Sequence, residues 1–337
     1  MNFNPDKVHS SILKAITPAL RYGGGDVKAW QKKARERLSE LLGFNRIEAA
    51  SDDMLTVKKE AASEGYAEYS ITFQSEEGYF VPATLFIPEG KEAPEGKIPL
   101  IICLQGHSTG KHISLGKPKF PGDEKTISGG DRDFAKQIVK EGYAALAVEQ
   151  RGFGECGGTP EGPACKHPTM TALLAGRTTI GERVFDIKRA IDVVTGAFDA
   201  LDADKIACMG NSGGGTATIY AAAMLEEIKM AMPSCALCTF KDSIAAMEHC
   251  TCNYVPGIAL DFDMGDLCGL IAPRPLLVVS GHEDRIFPYF GVEESIGVAK
   301  KYYEAFGADE KLDWVEGPEG HRFYAALSWP KFHKMFD

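Results

Sequence analysis

The alternation of six short apolar runs with helical stretches constrains the fold of this chain more than any other feature. The apolar runs cover residues 98–105, 143–150, 205–210, 228–235, 274–281 and 311–317, and helices are predicted at about 130–141, 181–198, 213–226, 291–306 and 322–335. Apolar strands that alternate with helices are typical of a mostly parallel sheet with helices on both faces. The sequence therefore predicts an α/β fold whose functional loops follow the carboxyl ends of the strands.

The residues ahead of this alternation have a different pattern. Residues 5–43 are predicted to be helical, and residues 65–87 alternate as in a hairpin of two strands. We therefore expect an N-terminal helical extension over residues 1–60 and a main α/β domain over residues 61–337.

Composition excludes several classes of function. The formal net charge is −10 and no basic stripe is present, so the chain is a poor candidate for binding nucleic acid or anionic lipid. There is no run of about 18 apolar residues, so no membrane span is predicted, and the N-terminal residues lack the pattern of a secretion signal.

Nine cysteines cannot all pair within one chain, and several lie in apolar runs, which favours a reducing, cytoplasmic location. Whether copies of the chain form a homo-oligomer stays open.

Two serines lie in the pattern Gly-x-Ser-x-Gly, which often holds a nucleophile on a sharp turn between a strand and a helix. Ser212, in GNSGG (210–214), follows an apolar strand and precedes a helix rich in small residues, as this turn requires. Ser108, in GHSTG (106–110), is followed by a stretch rich in Gly and Pro with no predicted helix for about twenty residues. The sequence therefore predicts Ser212 as the nucleophile.

The loop that contains Ser108 still has a predicted role. In α/β folds with a serine on such a turn, one donor to the oxyanion is the backbone N–H after the nucleophile, and the second comes from the loop after the third strand of the domain. The predicted donors are the backbone N–H groups of Gly213 and His107. The alternative interpretation is a turn without catalytic contact.

A serine nucleophile needs a base and an acid that orients the base. On an α/β fold with the serine on such a turn, the chain order is Ser, acid, His. Asp284 follows the strand at 274–281, and His321 follows the strand at 311–317. Weaker candidates for the acid are Glu283 and Glu294. His333 is the remaining histidine after Asp284, but it falls within the last predicted helix. We expect a Ser212–His321–Asp284 triad.

With these residues in this order, the chain resembles the α/β-hydrolase superfamily, and within it the serine esterases that are similar to dienelactone hydrolases and acetylxylan esterases. The segments that carry the resemblance are LQGHSTGK (104–111), AVEQRGFGE (147–155), GNSGGG (210–215), SGHEDRIFP (280–288) and GPEGHRFY (317–324). The resemblance implies hydrolysis of small acyl esters, above all acetyl esters, on carbohydrate, without a metal or organic cofactor. It departs from dienelactone hydrolases proper, whose nucleophile is Cys.

Three further residues are candidates for substrate contact: Arg151, Cys252 and Tyr254. Arg151 alternatively braces the loop after its strand, and the cysteine-rich segment around Cys252 alternatively serves ordinary packing. A zinc site in this segment is disfavoured because Cys250-x-Cys252 is too tight for the usual ligand spacing.

The rivals to an esterase are an oligopeptidase-like serine peptidase and a hydrolase-fold binding protein without turnover. The chain is too short to carry the propeller domain of such peptidases, and a binding protein is expected to lack a member of the triad. A scaffold protein is disfavoured on the same ground.

Overall fold

The computed structural model describes residues 3–60, 65–89 and 97–337, and within them nine strands form one mixed sheet. Its strand order is β1-β2-β3-β5-β4-β6-β7-β8-β9. β1 to β3 and the β3–β5 pair are antiparallel, and the remaining pairs are parallel. The strands are β1 Thr56–Lys59, β2 Tyr66–Glu76, β3 Tyr79–Pro88, β4 Ile98–Leu104, β5 Ala144–Val148, β6 Leu201–Asn211, β7 Ile228–Ser234, β8 Leu276–Gly281 and β9 Leu312–Gly317.

The strands at the centre of the sheet are apolar over their buried stretches because helices cover both faces of the sheet. Successive side chains of a strand point to opposite faces. Ile101 and Ile102 of β4 are both fully buried, and they belong to separate apolar clusters on the two sides. The predicted α/β fold and the predicted hairpin are confirmed.

Eleven α-helices occupy the described residues, and all five helices predicted in the main domain are among them, with ends shifted by a few residues. None of the described helices has the length and apolar character needed to cross a membrane. The helices are α1 Asp6–Ala15, α2 Val27–Leu42, α3 Asp123–Ser128, α4 Phe134–Lys140, α5 Lys166–Leu174, α6 Thr179–Ala197, α7 Gly213–Met224, α8 Ile258–Asp261, α9 Met264–Ile271, α10 Tyr289–Phe306 and α11 Ala325–Phe336.

The N-terminal segment differs from the continuous helix expected over residues 5–43, which was wrong in its middle. Residues 16–26 are not helical, because Pro18 and the run Gly23–Gly25 disfavour helix. A new helix begins where the Asp26 side chain accepts hydrogen bonds from the N–H groups of Lys28 and Ala29, at 2.9 and 3.1 Å. The expected domain boundary between residues 60 and 61 adjoins residues 61–64, which lie outside the described residues. Strand β1 ends just before this boundary and already belongs to the sheet.

The topology gathers the carboxyl ends of the parallel strands at one edge of the sheet. β4, β6, β7, β8 and β9 are consecutive neighbours and run in the same direction. Three of the predicted functional residues, His107, Ser212 and Asp284, follow β4, β6 and β8, and His321 follows β9. The fold therefore delivers all four to the same edge.

Candidate active site

Ser212 occupies the turn between β6 and α7. Its backbone has φ 57° and ψ −122°, a strained conformation for a residue with a side chain, and α7 begins at the next residue, Gly213. The Ser212 N–H donates to the carbonyl of Ser234, at 2.8 Å, which ties the turn to the end of β7. The side chain is half-buried at the N-terminus of α7.

The glycines that flank this turn are required by close backbone contacts. A Cβ on Gly214 would overlap the carbonyl oxygen of Leu104 and lie 2.6 Å from that of Gln105. A Cβ on Gly210 would lie 2.5 Å from the Gly214 carbonyl carbon. Helix α7 can therefore pack this close to β4 only because Gly210 and Gly214 have no side chain.

Gly214→Ala is therefore expected to destabilise the protein by about 1–3 kcal/mol, since backbone atoms would have to shift. The matched control is Gly297→Ala in α10, where a Cβ would meet no atom within 4 Å. That substitution is expected to stabilise the helix by about 0.5–1 kcal/mol. Urea denaturation of both variants measures the difference, and equal midpoints would contradict the packing argument.

Asp284 and His321 form a hydrogen-bonded acid–base pair. His321 Nδ1 lies 2.7 Å from Asp284 Oδ2, and Oδ1 of the same carboxylate accepts the N–H groups of Ile286 and Phe287 at 2.8 and 3.1 Å. Burial raises the pKa of Asp284, but the hydrogen bond and charge of His321 and the two backbone donors outweigh it, so the pKa lies below its usual value. The carboxylate is thus ionised and holds the imidazole in one orientation.

The end of β7 connects the turn at Ser212 with the loop that carries His321. Ser234 accepts the Ser212 N–H, and the thiol of the next residue, Cys235, donates to the carbonyl of Arg322 at 3.2 Å. The ring of Phe287 stacks on that of His321, with centroids 5.9 Å apart. Nucleophile and base candidates are therefore held on the same framework.

The two residues that carry the predicted oxyanion donors, Gly213 and His107, are in contact. Among the described residues, the backbone N–H groups of Gly213 and His107 have no hydrogen-bond acceptor. The imidazole of His107 lies against Gly213, where a Cβ would be 2.6 Å from the ring. Unpaired N–H groups beside a helix N-terminus suit a developing oxyanion.

Ser108 lies in the loop after β4 and lacks the surroundings of a nucleophile. Its Oγ is buried and hydrogen-bonds to no group in the described parts of the chain. The sequence predicts about twenty residues without helix after Ser108, but the structure has a short 3₁₀ turn at Lys111–Ile113 and then helix α3. No helix begins directly after the serine. The turn at Ser108 therefore has no helix N-terminus behind it.

Arg151 braces the loop after β5. Its guanidinium contacts Asp186 at 2.8 Å, Glu76 at 2.5 Å and Glu182 at 3.4 Å, and Arg151 itself is largely buried. Three carboxylates thus neutralise this cation. The arrangement matches the alternative interpretation of Arg151 as a brace for this loop, and its contact with substrate stays a prediction.

Tyr254 and Cys252 lie apart from the acid–base pair. The Tyr254 hydroxyl donates to the Ile244 carbonyl at 2.9 Å, and its ring lines a cavity of about 220 Å³ together with Leu13 of α1. The Cys252 thiol is buried against the His107 ring, with Sγ 3.1 Å from Nε2. Within the described chain, neither side chain has a hydrogen bond or ring contact with Asp284 or His321, and their predicted contact with substrate stays a prediction.

The site contains one polar residue that sequence reasoning missed, His249. Its ring packs edge-on against Phe287 and His107, at centroid distances of 5.8 and 6.5 Å. Nδ1 accepts the Cys250 N–H and contacts the Asn253 amide, so the proton resides on Nε2, which is buried and without a partner in the described chain. The motif HCTCNY marked the segment, but only the tertiary fold brings it between His107 and His321.

His249 also makes stability depend on pH. Burial and the charges of His107 and His321 lower the pKa of His249 from 6.5 to about 4. Between these values the unfolded chain binds a proton that the folded chain does not, so the free energy of unfolding falls as pH drops, by about 3 kcal/mol at most. Urea titrations near pH 7 and pH 5 measure this effect. From pH 7 to pH 5 the free energy of unfolding should fall less for His249→Gln than for the wild type. An equal fall in both proteins would contradict the lowered pKa of His249.

The strand order, with a strained turn between strand and helix after β6 and loops after β8 and β9, defines an α/β-hydrolase. Residues 46–255 match the model of the acetyl xylan esterase (AXE1) family. The chain belongs to this family and is a carboxylic ester hydrolase that acts on carbohydrate esters.

Individual relatives agree with this assignment. The chain is 29% identical over 234 residues to a protein of Bacillus subtilis (strain 168) described as "Putative hydrolase YtaP", covering 67% of this chain and 74% of that one. A Bacteroides fragilis structure described as a "putative acetyl xylan esterase" superposes with a TM-score of 0.78 at 18% identity, over 98% of this chain and 85% of that one. A glucuronoyl esterase from Solibacter usitatus superposes with a TM-score of 0.66 at 16% identity, over 95% and 96% of the two chains. At such identities the two structures support the fold alone.

Proposed function

We propose that the protein is a serine esterase that removes acetyl groups from carbohydrate through Ser212, His321 and Asp284. The observation that carries this proposal is the 2.7 Å hydrogen bond between the buried Asp284 and the partly exposed His321, at the sheet edge where the β6–α7 turn presents Ser212. Family membership supports the acetyl group and the carbohydrate. An oligopeptidase or a binding protein without turnover has no comparable support.

In the first half of the reaction, Ser212 Oγ attacks the carbonyl carbon of the acetyl ester while His321 Nε2 takes the hydroxyl proton. Asp284 holds the Nδ1–H tautomer, so that Nε2 is the acceptor, and it stabilises the imidazolium that forms. The protonated His321 then gives its proton to the departing sugar oxygen, which leaves acetyl-Ser212.

The backbone N–H groups of Gly213 and His107 stabilise the negative oxygen of the tetrahedral intermediate. One such donor contributes about 3 kcal/mol to the transition state. In the second half, His321 activates a water molecule that attacks the acetyl carbonyl, and the same donors hold the second oxyanion. The products are acetate and the free sugar hydroxyl.

His249 supplies the polar contact to the alcohol side of the substrate in this proposal. Its Nε2–H is a buried donor without a partner among the described residues, and its ring packs edge-on against Phe287. A buried donor without a partner costs about 1–3 kcal/mol, which a sugar oxygen would recover on binding. This contact favours carbohydrate esters over simple alkyl acetates.

The cysteines support a reducing, cytoplasmic setting for this activity. All nine are free thiols, and most of them are buried. The oligomeric state stays a prediction to be measured.

The test compares acyl length and alcohol on the whole chain. We expect p-nitrophenyl acetate to be hydrolysed faster than the butyrate and the octanoate, and acetylated xylo-oligosaccharides to be deacetylated. A methyl ester of glucuronic acid serves as the control substrate and should not react. Hydrolysis of the methyl glucuronate without deacetylation, or of a peptide bond without ester hydrolysis, would contradict the proposed function.

A further inference from the structure

Four side chains with metal-binding atoms converge beside the proposed oxyanion loop. They come from three separate loops: His107 follows β4, Cys165 precedes α5, and Cys250 directly precedes the 3₁₀ turn Thr251–Asn253, which contains Cys252. Their ligand atoms all lie within 4.8 Å of one another, with His107 Nε2 3.1 Å from Cys252 Sγ and the Sγ atoms of Cys250 and Cys252 3.3 Å apart.

The size of this cluster fits a tetrahedral ion. Zinc–sulfur bonds of about 2.3 Å place two thiolate ligands about 3.8 Å apart. The observed 3.3 Å between Cys250 Sγ and Cys252 Sγ therefore needs an expansion of about half an ångström. Three thiols and one imidazole are a donor set of structural zinc sites, and none of the three thiols is in a disulfide.

A second, independent observation is the charge of Arg183. This residue of α6 is 1% exposed, and its guanidinium contacts Cys252 Sγ at 3.4 Å, Cys165 Sγ at 3.5 Å and the Arg151 carbonyl at 2.6 Å. No carboxylate in the described chain forms a salt bridge with it. A buried cation needs an anion nearby. Zn²⁺ with three thiolates has a net charge of −1, which balances this guanidinium.

We propose that His107, Cys165, Cys250 and Cys252 form a structural zinc site in this protein. The four protein ligands leave no open position for substrate, so the ion binds the three loops together and takes no part in ester cleavage. Binding converts three thiols to thiolates and releases three protons.

The site has a consequence for activity that rests on the proposed function. The ring of His107 lies against Gly213. The backbone N–H of His107 is one of the two proposed oxyanion donors. Zinc on Nε2 would therefore fix the position of that donor. Loss of zinc should lower kcat for p-nitrophenyl acetate more than it changes KM, since the donor acts in the transition state.

The first experiment measures metal content and cobalt spectra of the whole chain, independently of activity. Purified protein should contain one zinc per chain, and replacement by Co²⁺ should give the thiolate charge-transfer and d–d bands of a tetrahedral site. Protein that binds neither Zn²⁺ nor Co²⁺ under reducing conditions would overturn the proposal. So would an isolated protein in which two of these cysteines are joined in a disulfide.

Matched cysteine variants then identify the ligands. Cys165→Ser and Cys250→Ser should each bind zinc at least ten-fold more weakly, whereas Cys268→Ala, a buried thiol in α9 outside the cluster, should retain one zinc. Full zinc retention in both serine variants would overturn the ligand assignment. If zinc removal leaves the esterase activity unchanged, this contradicts only the proposed effect of zinc on the His107 backbone N–H. If the protein binds one zinc but has no esterase activity, this contradicts only the proposed function.

Discussion

Ser212→Ala should lower kcat for p-nitrophenyl acetate by at least about 10⁴-fold, the largest effect expected from any single substitution in this chain. The hydroxyl is the proposed attacking group, and its turn presents no other nucleophile. Alanine adopts the positive φ of residue 212 about as readily as serine, so the fold should be retained. The measurement is steady-state hydrolysis, together with circular dichroism to show that the variant is folded.

Ser108→Ala is the matched control, because this serine lies in the other Gly-x-Ser-x-Gly segment. Its Oγ has no hydrogen-bond partner in the described chain, so its removal breaks no contact. Activity within about two-fold of the wild type is expected, since the substitution removes a hydroxyl that makes no hydrogen bond in the described chain. If Ser108→Ala were inactive and Ser212→Ala active, the nucleophile would be assigned to the wrong turn.

The elements that sequence predicted well are those encoded by contiguous residues. The buried stretches of the central strands are apolar because both faces of the sheet are covered. The turn at Ser212 is recognisable because strand, glycines and helix follow one another within a few residues. Asp284 and His321 were found through the strands that precede them. Their hydrogen bond of 2.7 Å was not predictable, because it depends on how β8 and β9 pair.

The features that sequence missed are formed by residues far apart in the chain. The break at residues 16–26 was overlooked because amphipathic patterns on either side outweighed Pro18 and the three glycines that follow it. Cys165 lies 85 positions before Cys250, so spacing rules for zinc ligands could not connect them. His249 had a local signal in HCTCNY, but its place between His107 and His321 exists only in the folded protein.

Asp284→Asn should lower kcat by about 10⁴-fold while leaving KM within a few-fold of the wild type. Oδ1 of Asp284 accepts the N–H groups of Ile286 and Phe287, and an asparagine oxygen would keep these two bonds. The amide nitrogen would then face His321 Nδ1, where the carboxylate oxygen accepts now. This donor forces the proton of the imidazole onto Nε2, so the base can no longer take the proton of Ser212.

Glu283→Gln provides the control for this substitution, because it makes the same chemical change one residue earlier. Glu283 is exposed, and only its backbone N–H is engaged, with the Glu319 carbonyl. Its activity should stay within two-fold of the wild type, since exposed carboxylates contribute little. An equal loss of kcat in Glu283→Gln and Asp284→Asn would mean that negative charge near the site, and not the tautomer of His321, controls the rate. A normal kcat in Asp284→Asn would mean that Asp284 is not part of the triad.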